Sequence, residues 1–434
     1  AGVYEYTLKE TVGNKPGYTY DGTARNIKVT VTDNNGTLSA VWTLDGQAAT
    51  DVTFTNNYDP TDAVLALPVK KVITGNPRPA GEEETFSFKL EAAAGVPMPA
   101  ADTVTITDAG AVSFGNITYT KAGEYTYTLK EIQGNKPGYT YDGTAHTIKV
   151  TVTDTNGVLS AVWTDNNNTV TDATFTNRYA PAAATLTIPV RKVLTGNAPP
   201  ANKTFTFTLA AVTPGAPVPA ATTITVTGAG TESFDTITFT QAGTYTYTVK
   251  ETQGTEPGYT YDNTTHTVVA TVTDTAGMLS VTWKDNGQPG TDVTFTNKYV
   301  PSPVTVAVPV QKLITGNPRP AQKETFTFTL AAVGTAPMPA TDTVTITDAG
   351  NATFPAINFT AAGVYEYTLK ETQGTAGGYT YDPATRNVKV TVTDTNGILS
   401  AVWTVNGAAE NPVKFSNHYN PEEARLVIPV KKVI

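Results

Sequence analysis

Residues 125–131 read Tyr-Thr-Tyr-Thr-Leu-Lys-Glu, an alternation of apolar and polar positions that predicts a strand. Tyr125, Tyr127, Leu129 and Glu131 then share one face, and Thr126, Thr128 and Lys130 the other. The face that should meet a core therefore carries a carboxylate, which is costly to bury unless it is paired or protonated. The stretch recurs almost unchanged at 4–10, 245–251 and 365–371. Short alternating runs fill the rest of the chain. In 64–73, Leu65, Leu67, Val69, Lys71 and Ile73 share a face while Lys70 falls opposite; in 175–179, Phe175, Asn177 and Tyr179 share one, with Arg178 opposite. Asp154-Thr-Asn-Gly157 predicts a hairpin turn between two such runs. No segment has a sustained helical period.

The pattern repeats about every 120 residues. Asn56, Asn177, Asn297 and Asn417 each sit in Phe-x-Asn-x-Tyr, and Lys71, Lys192, Lys312 and Lys432 follow at the same spacing. That period is one domain rather than a solenoid unit. Residues 1–60 match the second half of a unit; complete units cover 61–180, 181–300 and 301–420; 421–434 match the first strand of a further one. Eight or more short strands per unit predict an all-β chain of tandem Ig-like β-sandwiches. Tyr-x-Pro joints without Gly/Ser spacers predict short, stiff links and an elongated rod.

Composition narrows the function. The net charge of −9, with no basic cluster, argues against nucleic acid and anionic membranes. The absence of cysteine excludes disulfides and thiolate metal sites. No run is long enough for a membrane-spanning helix. The chain has no signal peptide and opens in mid-pattern, as an excerpt of a longer protein would.

Each complete unit thus directs a lysine, a glutamate and an asparagine inward: Lys71, Glu131 and Asn177; Lys192, Glu251 and Asn297; Lys312, Glu371 and Asn417. The position of Lys70 varies to Arg191 and Gln311, as an exposed site would, while its neighbour stays lysine. Burial favours a neutral amine and a neutral carboxylic acid. An amine beside an amide carbonyl is a nucleophile beside an electrophile, and the acid can donate to the amide oxygen and shuttle protons. The expected product is a Lys–Asn isopeptide bond with loss of ammonia. Glu10 and Asn56 lack an upstream lysine, and Lys432 lacks an acid and an asparagine downstream, so these three stay unpaired.

With these residues in place, the unit resembles the isopeptide-linkage domain of Gram-positive pilins and related surface proteins. The matching motifs are the Val-x-Lys first strand, the Tyr-x-Leu-x-Glu strand leading to Pro-Gly-Tyr, and the closing Phe-x-Asn-x-Tyr. The glutamate segment also resembles the "E-box" of the collagen-adhesin B-type domain. The resemblance implies that the lysine and asparagine of each triad cross-link, that Glu131, Glu251 and Glu371 catalyse the step, and that the chain lies outside the cell on a cell wall. It implies a structural stalk whose partners are neighbouring repeats. The alternative reading is an adhesin whose repeats contact host protein or glycan. Neither a Leu-Pro-x-Thr-Gly sorting signal nor a Tyr-Pro-Lys pilin lysine occurs.

Nothing suggests an enzyme acting on outside substrates, a cofactor or a metal. His146 and His266 stand where other units carry Arg25 and Arg386, and are expected to be exposed, as is His418. Trp42, Trp163, Trp283 and Trp403 are expected in the core or on a sheet face.

Overall fold

The computed structural model describes residues 1–432. Every regular element among them is a strand. Two compact units divide the chain: Ala1–Ala184 with Phe239–Gly243 and Val272–Val281 in one, and Thr185–Thr238, Thr244–Thr271 and the chain from Thr282 onward in the other.

In the first complete repeat, one sheet runs in the order Thr103–Thr107, Thr85–Ala92, Gly123–Glu131, Ala145–Thr155, Val158–Asp165. The other runs Gly110–Ser113, Pro68–Gly75, Ala173–Tyr179, Tyr139–Thr140. The next two repeats build the same two sheets, the second adding the short strand Gln288–Pro289 to its larger sheet. Alternate residues of both sheets meet in a core that includes Val69, Phe86, Phe88, Leu90, Leu129, Ile148, Val150 and Phe175. The alternation that predicts the strands is thus the alternation that buries them. The first and last strands of a repeat lie side by side and parallel, with Lys71 opposite Phe175 and Ile73 opposite Asn177. Local pairing cannot join them. The whole sandwich must close before they meet.

Two expected strands differ. The run 64–73 is split into Ala63–Leu65 and Pro68–Gly75, which pair in separate sheets. Pro68 lacks the N–H a continuous ladder would need there. Residues 421–432 form no strand, and Leu426, Val427, Ile428 and Val430 are exposed. Pro309–Gly316 is held by Val413–Tyr419 alongside it; residues 421–432 have no such strand beside them among the described residues. Val433 and Ile434 lie outside the described residues. Residues 1–58 form the sheet Gly2–Leu8, Arg25–Asn34, Thr37–Leu44, Gln47–Ala48, and its apolar side chains Val3, Tyr4 and Tyr6 are exposed.

The hairpin at 154–157 does more than turn the chain. Asp154 accepts the Gly157 N–H at 2.8 Å and, through its other oxygen, the Tyr58 hydroxyl at 2.5 Å. Tyr179 reaches Asp274 at 2.9 Å and Tyr299 reaches Asp394 at 2.7 Å in the same way. The hairpin glycine sits against the Pro-Gly turn of the preceding repeat. A Cβ on Gly277 would lie 2.4 Å from the Pro137 carbonyl, so no side chain fits. The linker then pairs with the hairpin, Ala182 donating to Gly277 O and accepting from Leu279 N, both at 2.9 Å. At the joint read from Tyr-x-Pro the structure places a three-part clasp, whose aspartate and glycine the hairpin motif had already placed.

In that hairpin the second repeat carries Ala276, at φ +50°, where the first and third carry Asn156 and Asn396. Alanine resists this left-handed conformation, which asparagine adopts more readily. Ala276→Asn should therefore stabilise the second repeat, by about 1 kcal/mol in chemical denaturation.

Candidate functional site

The sandwich interior brings each triad together. Gly123–Glu131 delivers the glutamate from one sheet, and the paired lysine and asparagine strands deliver the other two groups from the opposite sheet. In the first repeat the Lys71 ammonium donates to Glu131 Oε2 at 2.7 Å, and Asn177 Nδ2 donates to Glu131 Oε1, also at 2.7 Å. The second repeat repeats this with Lys192–Glu251 at 2.8 Å and Asn297–Glu251 at 2.7 Å. In the third, Lys312 donates to both oxygens of Glu371 at 2.8 Å, and Asn417 donates to Oε1 at 2.7 Å. The lysine and glutamate side chains of all three pairs are 0% exposed. Lys71 Nζ also lies 4.7 Å from the Phe86 ring centre, and Lys192 and Lys312 sit likewise over Phe205 and Phe326.

Burial pulls the Lys71 pKa below the ordinary 10.5, against the upward pull of Glu131. Lys192 and Lys312 are displaced in the same direction for the same reason. A depressed amine binds fewer protons folded than unfolded, so unfolding takes up protons and stability rises with pH through that window. This applies only where the lysine remains a free amine. In an Asn177→Ala variant the first repeat should gain stability as pH rises from the lowered value toward 10.5, measured by denaturant titration at several pH values.

The orientation of the asparagine amide is set by a group the sequence reading missed. Asn177 Oδ1 accepts the backbone N–H of Asp142 at 2.7 Å, which leaves Nδ2 to face Glu131. Asp262 and Asp382 do the same for Asn297 and Asn417. Sequence reasoning sends the acid to the amide oxygen; the structure gives that oxygen to a backbone donor and the nitrogen to the acid. Asp142 is itself pinned, its carboxylate accepting Thr176 N at 2.7 Å and Thr144 N at 3.0 Å. Burial opposes its charge, but these bonds and the nearby Lys71 hold its carboxyl below the usual range. The signal lay in the sequence, because Asp follows Pro-Gly-Tyr-Thr-Tyr in all three complete units apart from Gly377 replacing the proline in the third.

Glu10 and Asn56 keep the same contact, Asn56 Nδ2 donating to Glu10 Oε1 at 2.7 Å, and Asp21 N donates to Asn56 Oδ1 at 2.8 Å. Glu10 Oε2, the counterpart of the oxygen that takes Lys71, is buried without a hydrogen-bond partner. Lys432 is exposed and lies in no strand.

The expectation for His146 and His266 is corrected. Both are buried, pairing through Nδ1 with Asp165 at 2.6 Å and Asp285 at 2.7 Å, against Phe175 and Phe295. The parity of His146 with Ile148 and Val150 already points inward. Where arginine stands instead, its guanidinium lies over the matching Phe54 or Phe415 and pairs with a different acid: Arg25 with Asp21 and Arg386 with Asp382, while the positions of Asp165 become Leu44 and Val405. His418 is exposed and the four tryptophans are half-buried. Among the described residues no group of three or more His, Asp or Glu could hold a metal ion, and no helix is long and apolar enough to cross a membrane.

No curated protein matches the chain. Among solved structures, the major pilin from Streptococcus pyogenes aligns at 20% identity over 54% of this chain and 98% of its own, with a TM-score of 0.26. Two B repeat units of the collagen binding protein of Staphylococcus aureus align at 15% identity over 91% of this chain and 94% of their own, with a TM-score of 0.23. The pilus adhesin SpaC from Lactobacillus rhamnosus GG aligns at 14% identity over 88% and 46%, with a TM-score of 0.20. The family model described as "FctA: Spy0128-like isopeptide containing domain" matches four times, at residues 1–59, 67–180, 188–300 and 308–420. With most of its length covered by those four matches, the chain belongs to the family of Spy0128-like isopeptide containing domains.

Proposed function

We propose that the chain is a load-bearing stalk segment of a Gram-positive surface or pilus protein, and that each complete repeat locks itself with one Lys–Asn isopeptide bond. The observation that carries this is the convergence of lysine and asparagine on one buried carboxylate, repeated three times with the same atoms in contact.

The contacts support a sequence of steps. Lys71 passes a proton to Glu131 Oε2 along their 2.7 Å hydrogen bond, leaving a neutral amine and a neutral acid in the core. The amine nitrogen attacks Asn177 Cγ, and the negative charge that develops on Oδ1 is met by the Asp142 N–H already bonded to it. Glu131, in contact with Nδ2, protonates the departing nitrogen as the Cγ–Nδ2 bond breaks. The second amine proton returns to the carboxylate or leaves with the product, so the balance is one Nζ–Cγ bond gained and one ammonia released. Such a reaction turns over once per site. Held geometry replaces a catalyst's turnover, since fixed neighbours react as if at very high concentration.

The bond would close a ring of about 106 residues and restrict the unfolded chain by roughly 4–5 kcal/mol on the disulfide analogy. Tension reaching Lys71 would cross to Asn177 and then follow only 15 residues to Lys192. Membership of the Spy0128-like isopeptide containing domain family, with the resemblance of each unit to Gram-positive pilin domains, suits an extracellular, wall-associated place whose nearest partners are adjoining repeats. Intact mass under denaturing conditions tests the reading: a deficit of three ammonias supports it, and the full unreacted mass refutes it.

A further inference from the structure

The aspartate whose backbone N–H holds the asparagine amide has different neighbours in the three repeats. In the third, Asp382 Oδ2 accepts from Arg386 Nη2 at 2.9 Å, and the same nitrogen donates to Lys414 O at 3.1 Å. The two side chains are 19% and 12% exposed, the arginine first, and the guanidinium lies 4.8 Å from the centre of the Phe415 ring. Phe415 and Asn417 are buried on one face of the same strand. In the first and second repeats the arginine is replaced by His146 and His266, and each histidine is engaged by another acid, Asp165 or Asp285. Asp142 is held there by the backbone N–H groups of Thr176 and Thr144, and Asp262 by those of Thr296 and Thr264.

The charge on this aspartate bears on the cross-linking step. Its backbone N–H meets the negative charge that develops on the asparagine Oδ1, yet the same residue carries a carboxylate, and like charges repel strongly away from water. From the triad, the cation acting on Asp142 is Lys71, and on Asp262 it is Lys192. That lysine must lose its proton before its nitrogen can attack. Asp142 and Asp262 are then deprived of an offsetting charge just as a second negative charge grows on the oxygen they hold. A guanidinium stays protonated throughout. Asp382 therefore keeps its counter-charge while Lys312 becomes a neutral amine.

We propose that Arg386 is a positioning residue for the third repeat's cross-link: by pairing with Asp382 it steadies the N–H that holds Asn417 Oδ1, offsets the carboxylate behind it, and makes this repeat lock faster than the other two. The inference rests on the Lys–Asn reaction proposed above and adds no step to it. The Nζ–Cγ bond forms, the Cγ–Nδ2 bond breaks and ammonia leaves, while the guanidinium neither gives nor takes a proton. Groups that orient a reacting one from behind are worth about 10–100-fold where metal sites have been dissected, and the lower end of that range is expected here.

The test follows all three repeats in one chain. The whole chain is made by cell-free synthesis, translation is stopped, and samples quenched in acid at intervals are digested so that mass spectrometry can count the branched peptide of each repeat. The Lys312–Asn417 peptide should accumulate about tenfold faster than the other two. Arg386→Gln should slow it to their pace, while Arg386→Lys, which keeps the charge, should retain most of the advantage. H146R/D165V gives the first repeat the third's arginine, with an apolar residue in place of the histidine's aspartate. It should speed the Lys71–Asn177 peptide, a gain that damage to the fold cannot produce. Equal rates in the three repeats, R386K as slow as R386Q, or a first repeat no faster in H146R/D165V would overturn the inference. Absence of every branched peptide would instead refute the cross-linking reading beneath it.

Discussion

Glu131→Ala should leave the first repeat uncross-linked while the second and third keep their bonds, so that the intact mass shows two lost ammonias instead of three. The change also removes the only carboxylate bonded to Lys71, in a site where the lysine side chain is fully buried. Stranding one partner of a buried ion pair costs about 3–5 kcal/mol, and loss of the ring restores roughly 4–5 kcal/mol of unfolded-state freedom. A domain of this size has typically 5–15 kcal/mol in hand. The first repeat should therefore melt well below its neighbours and become the place where proteases cut. Calorimetry should show it as a separate early transition. A variant that still lost three ammonias would remove Glu131 from the chemistry. Asn177→Ala distinguishes the two costs, because it forfeits the ring but leaves the Lys71–Glu131 pair intact; its early transition should lie above that of Glu131→Ala.

Under tension the expected effect is larger still. With all three bonds formed, no complete repeat can release the chain between its lysine and its asparagine, and only stretches such as 178–191 are free to lengthen. In Asn177→Ala the first repeat should unfold in one event and release about 106 residues, on the order of 350–380 Å at full extension. Single-molecule stretching of the two proteins makes the comparison directly. An event of that length in the unmodified chain would mean that load runs through the sheets rather than through the cross-links.

Much of this was legible in the sequence because strand parity is a strict rule. Lys71, Glu131 and Asn177 each share a face with Val69, Leu129 and Phe175, and the structure buries each where parity puts it. The repeats added the discrimination one copy lacks, since Arg191 and Gln311 mark the outward position beside the lysine. What escaped was what backbone supplies. The recurrence of Asp142 after Pro-Gly-Tyr-Thr-Tyr marks the position, but not that its backbone N–H fixes the amide, and the direction of Asn177 follows from that bond. His146 and His266 were misplaced because a substitution to arginine was taken as a sign of exposure. Arginine there lays its guanidinium over Phe54 or Phe415 while pairing with Asp21 or Asp382, so one backbone position serves both a buried imidazole and a half-buried guanidinium. The clasp between repeats was hidden for another reason: Asp154 and Gly157 are explained fully by the hairpin they form, and their second contact appears only once the preceding repeat's Pro-Gly turn and Tyr58 are in place.

In the proposed reading, the stability, the force response and the protease resistance would all depend on one covalent connection per complete repeat. Proteolytic digestion followed by tandem mass spectrometry reads that connection directly. The account predicts three branched peptides, joining Lys71 to Asn177, Lys192 to Asn297 and Lys312 to Asn417, each lighter by one ammonia than its two linear parts. Recovery of those six residues on separate linear peptides, with every asparagine amide retained, would contradict it.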